Sequence, residues 1–150
     1  MDDHRIGSHL KALGNIMKRY FENASTINYA KSLTGENTYI IHYLAEKEEE
    51  GKPVYQKDIE KEFSITRSTT SKVLTLMENK NLIRRTLVPG DKRLKRIVLT
   101  DEAKDLHKKI MVEINAFEDT MKQGLSEEEI EQFFSTIETI KHNLEKKDPS

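Results

Sequence analysis

Residues 54–80 read VYQKDIEKEFSITRSTTSKVLTLMENK. Val54 and Tyr55 lead into a short helix over 56–63, whose inward positions are Ile59 and Phe63. Ser64-Ile65 make a tight corner. Thr66 follows as the N-cap of a second helix, because its hydroxyl can accept from a first-turn amide. That helix runs to about Lys80, with Thr70, Val73, Leu74 and Met77 at steps of three and four on its inward face. Two short helices joined by such a corner form a helix-turn-helix. The second helix then shows solvent an outer face of Arg67, Ser68, Thr69, Ser71, Lys72 and Thr75. Short hydroxyl side chains let a helix sit deep in a major groove, where hydroxyls meet phosphates or base edges and Arg or Lys donates to guanine. The helix N-terminus aims its free amides at phosphate in the same geometry. On an isolated helix such a face would be merely hydrated; the sequence around it argues for more.

Immediately downstream, 83–88 reads as a strand, Pro89-Gly90-Asp91 as a turn and 96–99 as the returning strand. The tip and return segment, Asp91-Lys92-Arg93-Leu94-Lys95-Arg96, carries four cations. A two-stranded ribbon is narrow enough to follow a duplex backbone and place an Arg in a narrow A·T-rich minor groove. Asp91 has two readings, pairing with the Arg93 side chain or capping the turn. The formal net charge of −1 hides a segregation. Residues 61–100 hold ten Lys/Arg against three acids, or +7, which leaves −8 for the remainder. An electrostatic footprint on phosphates requires this kind of separation.

Outside this segment the chain is helical. Ile6, Leu10, Leu13, Met17, Tyr20 or Phe21, Ala24 and Ile27 form one stripe. Thr34 caps a second helix carrying Tyr39, Ile40, Tyr43 and Leu44, which stops at Gly51 with Pro53 beyond. Thr100 caps a long helix with Ala103, Leu106, Ile110, Ile114, Phe117 and Met121 on one side, and Gly124 ends or bends it. Ser126 and Glu129 form a capping box for the last helix, with Ile130, Phe133 or Phe134, Ile137, Ile140 and Leu144 along it. The expected fold is mainly α, an α+β winged helix ordered helix, helix, helix-turn-helix, hairpin, helix, helix. Within a single chain of 1–150, residues 34–100 form the DNA-reading part, and 1–32 with 101–147 form a helical pairing part. Phe117, Met121, Phe133, Phe134, Ile137, Ile140 and Leu144 exceed what the small reading part needs. Together with Leu10 and Leu13 they predict a homodimer. Two recognition helices about a two-fold axis would then meet half-sites about 34–36 Å apart.

Residues 33–103 resemble the MarR family (multiple-antibiotic-resistance type) of transcriptional regulators. The resemblance rests on Leu33-Thr34, on DIEKEFSITRSTTSKVLTLMENKNLIRR over 58–85, and most specifically on DKRLKRIVLT over 91–100, an Asp-x-Arg wing followed by an apolar strand and Leu-Thr. It implies a winged-helix dimer on palindromic double-stranded DNA, usually a repressor released by a small molecule. It also implies residues 67–75 as the recognition helix and Arg93 as the wing-tip arginine. Two positions depart from the family pattern. Glu60 stands where alanine is usual, which predicts a looser approach of the two short helices. Asn81 stands where glycine commonly ends the recognition helix, a mild change because Asn tolerates the left-handed conformation.

Composition narrows the rest. With 35% hydrophobic and 34% charged residues, the chain suits a helical protein with much solvated surface or a core shared with a second copy. No run of 18 apolar residues occurs and the N-terminus lacks a signal-peptide core, so the expectation is a cytoplasmic protein with no membrane partner. Zero cysteines exclude disulfides, thiolate nucleophiles and Cys-based metal sites. No P-loop, dinucleotide turn, HExxH or GxSxG occurs, so no catalytic residues, cofactor or enzyme activity are expected. The five histidines (His4, His9, His42, His107, His142) include no i, i+4 pair with a nearby carboxylate, and no metal site is expected. By resemblance alone, an effector pocket would draw on Tyr20, Phe21, Tyr39, His42 or Tyr43, although aromatics at helical spacing are more often core. A competing reading is a winged helix whose basic wing meets an acidic protein instead of DNA.

Overall fold

The structure is a computed structural model that describes residues 4–24 and 35–146, with Ala24, Gly35, Glu36 and Lys92 traced through the backbone alone. The elements are α1 (Ile6–Ala24), α2 (Gly35–Glu49), α3 (Gln56–Phe63), α4 (Arg67–Asn79), β1 (Ile83–Val88), β2 (Asp91–Leu99), α5 (Asp101–Lys122) and α6 (Glu127–Lys146). The expected order is met element for element. The Thr34 cap, Leu33 and Ile27 lie outside the described residues. No helix among the described residues is long and apolar enough to cross a membrane.

Contacts divide the chain into two units, Met1–Glu113 and Ile114–Ser150. In the first, Ile40, Ile41 and Leu44 of α2, Ile59 of α3, Leu74 and Met77 of α4, and Ile83, Ile97 and Leu99 of the hairpin form the core. Each contributes about 1.5–3 kcal/mol by leaving water. Ile41 was not in the expected stripe, because α2 is covered on more than one side while Tyr39 and Tyr43 stay half-exposed. The buried Thr70 is satisfied by donating to the Thr66 carbonyl at 2.8 Å.

The corner of the helix-turn-helix turns on Ser64, held at φ 52° in the left-handed region. Asp58 braces the start of α3 by accepting from the Tyr55 amide at 2.8 Å. Thr66 caps α4 as expected, its Oγ1 accepting from the Thr69 amide at 3.2 Å. At the other end Asn81 sits at φ 59°. Its amide reaches the Glu78 carbonyl (3.0 Å) and the Leu82 amide reaches that of Met77 (2.9 Å). These two bonds are the Schellman pattern, with Asn in the place of glycine.

The hairpin is antiparallel, pairing Ile83 with Leu99 through Leu87 with Lys95, and an irregularity separates Leu87 from Val88. The Ile97 amide also donates to the Val54 carbonyl at 2.8 Å, tying the wing to the start of the helix-turn-helix. The returning strand corrects the sequence reading. It begins at Asp91, not at Arg96, so that Asp91 both closes the turn and opens the strand. Leu87 pairs with Lys95 and Val88 with Asp91, so residues 92–94 have no partner in the register, and such an irregular stretch shows none of the alternation by which strands are read.

Thr100 joins three elements. Its hydroxyl donates to the carbonyls of Asn81 (2.8 Å) and Leu82 (3.3 Å), and the oxygen accepts from the Ala103 amide (3.1 Å), capping α5. Asn81 returns a bond to the first turn of α5, its Nδ2 donating to Glu102 at 2.7 Å. In the second unit, Gly124 at φ 80° ends α5, and the capping box forms as read, with Ser126 and Glu129 exchanging bonds of 3.0 and 3.1 Å. Ile114 and Phe117 are buried, whereas α6 buries none of its residues fully.

Candidate nucleic-acid interface

The six outward residues of α4 are all exposed, and their inward neighbours Thr70, Leu74 and Met77 are buried. Three of the six side chains already carry intramolecular bonds, and the Ser68 hydroxyl is one of them, 3.4 Å from that of Thr66. Thr69 accepts from the Thr66 hydroxyl at 3.0 Å, so it belongs partly to the cap. Thr75 accepts from Arg85 Nη2 at 3.1 Å, which leaves its hydroxyl able to donate as well. Arg67, Ser71 and Lys72 form no ion pair or side-chain hydrogen bond among the described residues.

The wing sorts its cations by strand geometry. Arg93 and Lys95 line a groove between the hairpin and the helix-turn-helix, together with Arg85 of β1. Arg96 is exposed and takes no part in that lining. The side chain of Lys92 lies outside the described residues. Of the two readings for Asp91, turn capping holds: its Oδ1 accepts from the Arg93 backbone amide at 2.9 Å. This fixes the path of the wing tip and leaves the Arg93 guanidinium in no ion pair among the described residues.

The groove measures about 380 Å³ and receives Lys57 and Glu60 from α3 and Arg67 from α4. Sequence reading assigned no role to Lys57 or Arg85. A signal for Lys57 existed, since a cation in the first turn of a helix works against the helix dipole. Arg85 stands 3.7 Å from Glu78 through Nε, too far for a hydrogen bond, and that buried Nε has no acceptor.

The candidates for an effector pocket have other engagements. Tyr43 meets Phe63 edge-on at 5.8 Å. His42 Nδ1 lies 3.2 Å from His107 Nε2, the rings stacked at 5.4 Å, and His42 Nε2 lies 3.6 Å from Glu46. Burial holds the His107 imidazole below its ordinary value, with His42 acting in the same direction and Glu49 and Glu46 against it. Tyr20 is exposed on α1, while Phe21 and Tyr39 are half-buried. Among the described residues no three His, Asp or Glu side chains gather as metal ligands would.

Of the residues expected at a dimer interface, Leu10, Leu13, Phe133, Phe134 and Leu144 are exposed, the last three at 49, 56 and 69%. Met121, Ile137 and Ile140 are half-buried. Phe117, 6% exposed, is already covered within the chain and offers a second copy little surface.

A helix-turn-helix flanked by a two-stranded basic wing defines a winged-helix regulator. The MarR family's sequence signature matches residues 31–94. The crystal structure of the transcription regulator MarR from Oenococcus oeni PSU-1 is 32% identical, with a TM-score of 0.76 over 92% of this chain and 99% of that one. An S. aureus MepR–DNA complex is 26% identical, with a TM-score of 0.80 over 94% and 99%. The PcaV regulator from Streptomyces coelicolor, in complex with its natural ligand, shares the fold at 18% identity and a TM-score of 0.80, over 95% and 96%. The chain belongs to the MarR family of transcription regulators.

Proposed function

We propose that this regulator binds palindromic operators as a homodimer, acts as a repressor in the cytoplasm, and is released by a small molecule. The observation that carries the reading is the outward face of α4, where exposed hydroxyls and cations stand beside a wing whose Arg93 and Lys95 form no ion pair among the described residues. In this reading Arg67, Ser68, Ser71, Lys72 and Thr75 enter a major groove, with Thr69 close to the backbone. Arg93 enters the adjacent minor groove, while Lys92, Lys95 and Arg96 follow phosphates. Residues 34–100 form the reading part. Residues 1–32 and 101–147 pair two copies through the exposed apolar side chains of α1 and α6, since exposed apolar patches mark interaction surfaces. The DNA complex of the S. aureus relative supports the partner assigned here. Effector release follows the family resemblance, with Tyr20, Tyr39, His42 and Tyr43 as candidate contacts.

Selection of bound fragments from the host genome by the purified protein tests the reading. A recovered consensus with two-fold symmetry, bound more tightly than random duplex at high salt, is the expected result. Equal and weak binding to all duplexes removes specific regulation and favours a winged helix that docks an acidic protein.

A further inference from the structure

We propose that the groove between α3, α4 and the wing seats one sugar–phosphate strand of the bound duplex, with Lys57 as a phosphate ligand and Glu60 as a brake on that contact. The proposal deepens the reading above and rests on it. Its first support is geometric. A major groove and its neighbouring minor groove are always separated by one backbone strand. If α4 enters the first and Arg93 the second, that strand passes between them, and the space between them is this groove of about 380 Å³.

The second support is chemical. Five cations line the groove (Lys57, Arg67, Arg85, Arg93 and Lys95) against one carboxylate, Glu60. Like charges held this close repel one another, yet Lys57, Arg67, Arg93 and Lys95 form no ion pair among the described residues. Glu60 lines the same groove and pairs with none of them. Arg85, held by Thr75 at 3.1 Å and with its nearest carboxylate at 3.7 Å, adds a further positive charge to the wall of the groove. Base edges present donors as well as acceptors, whereas a phosphodiester presents only acceptors and a full negative charge. A site built almost wholly of cationic donors fits the second.

Phosphate chemistry has two sources here, a nucleic-acid strand or free phosphate, and the proposal commits to the strand. The test measures affinity for a random-sequence duplex across a salt series, for the wild type, Lys57→Ala, Glu60→Gln and Lys61→Ala. Lys61 is exposed on α3 and does not line the groove. Lys57→Ala is expected to weaken binding several-fold and to lower the log–log salt slope by about 0.9, the value of one phosphate contact. Glu60→Gln is expected to tighten binding several-fold, and Lys61→Ala to leave it unchanged. The gain from Glu60→Gln cannot arise from misfolding, so it protects the test against a damaged Lys57 variant. If Lys72→Ala and Arg93→Ala weaken binding while Lys57→Ala and Glu60→Gln leave slope and affinity alone, no strand runs through the groove. If inorganic phosphate at matched ionic strength raises the melting temperature of the wild type but not of Lys57→Ala, while the duplex slope is the same in both, the site serves free phosphate and the proposal is overturned. A wild type that binds no duplex at all removes the underlying reading, and the proposal with it.

Discussion

At the scale of single residues, Arg93 and the His42–His107 pair yield the sharpest expectations. Arg93 has its backbone fixed by Asp91 and its guanidinium free of ion pairs. Arg93→Ala should therefore weaken DNA binding most at A·T-rich flanks, read by comparing duplexes that differ only there. Asp91→Ala, which removes the 2.9 Å cap, should give a smaller loss of the same kind. Lys72→Ala, if the residue meets a base, should cost about 1–3 kcal/mol on the selected operator and much less on random duplex. The His107 imidazole makes stability depend on pH. Because burial depresses the folded-state value of His107, the unfolded chain binds the extra proton first as acid is added. Stability contributed by the neutral ring is thus present above the ordinary value of 6.5 and is lost as pH falls through the folded value. Urea midpoints measured from neutral to mildly acidic pH should fall less steeply for His107→Gln than for the wild type.

At the scale of elements, the end of α4 is the most exacting position. A residue with a Cβ in the left-handed region costs roughly 1–2 kcal/mol unless, like Asn, it tolerates that geometry. Asn81→Ala should lower thermal stability by about that amount, while Asn81→Gly, which keeps the turn and loses only the bond to Glu102, should lower it less. These elements were legible because their signals are local. Thr66 before an apolar three-and-four rhythm and Ser126 three residues before Glu129 each name a helix start, and the structure returns the bonds they imply. The first half of β2 was not legible, because it spans the irregularity between the Leu87–Lys95 and Val88–Asp91 pairs, where the regular period of two is lost. Nor was the meeting of His42 with His107, 65 positions apart, since no spacing within either helix refers to the other. The groove fell between the two. Its cations were visible as a basic stretch, but their convergence with Lys57 needs the helix-turn-helix corner to be folded.

For the molecule as a whole, the exposed side chains of α1 and α6 set the expectation. Leu10, Leu13, Phe133, Phe134 and Leu144 leave more apolar surface in water than a lone chain retains without cost. Light scattering at micromolar concentration should return the mass of two chains. Phe134→Glu should return one chain and should abolish operator binding with α4 and the wing untouched, because a single recognition helix forfeits the second half-site. Thr100 has a mechanical consequence for such an assembly. Its hydroxyl is bonded at once to the carbonyls of Asn81 and Leu82, the residues whose amides close α4, and to the amide that opens α5, while Asn81 also donates to Glu102 in the same turn. The end of α4 and the start of α5 are therefore pinned to each other through these two side chains. A molecule that tilts the opening turns of α5 is expected to strain the bonds that hold the end of the helix offered to DNA, an effect that Thr100→Val should weaken.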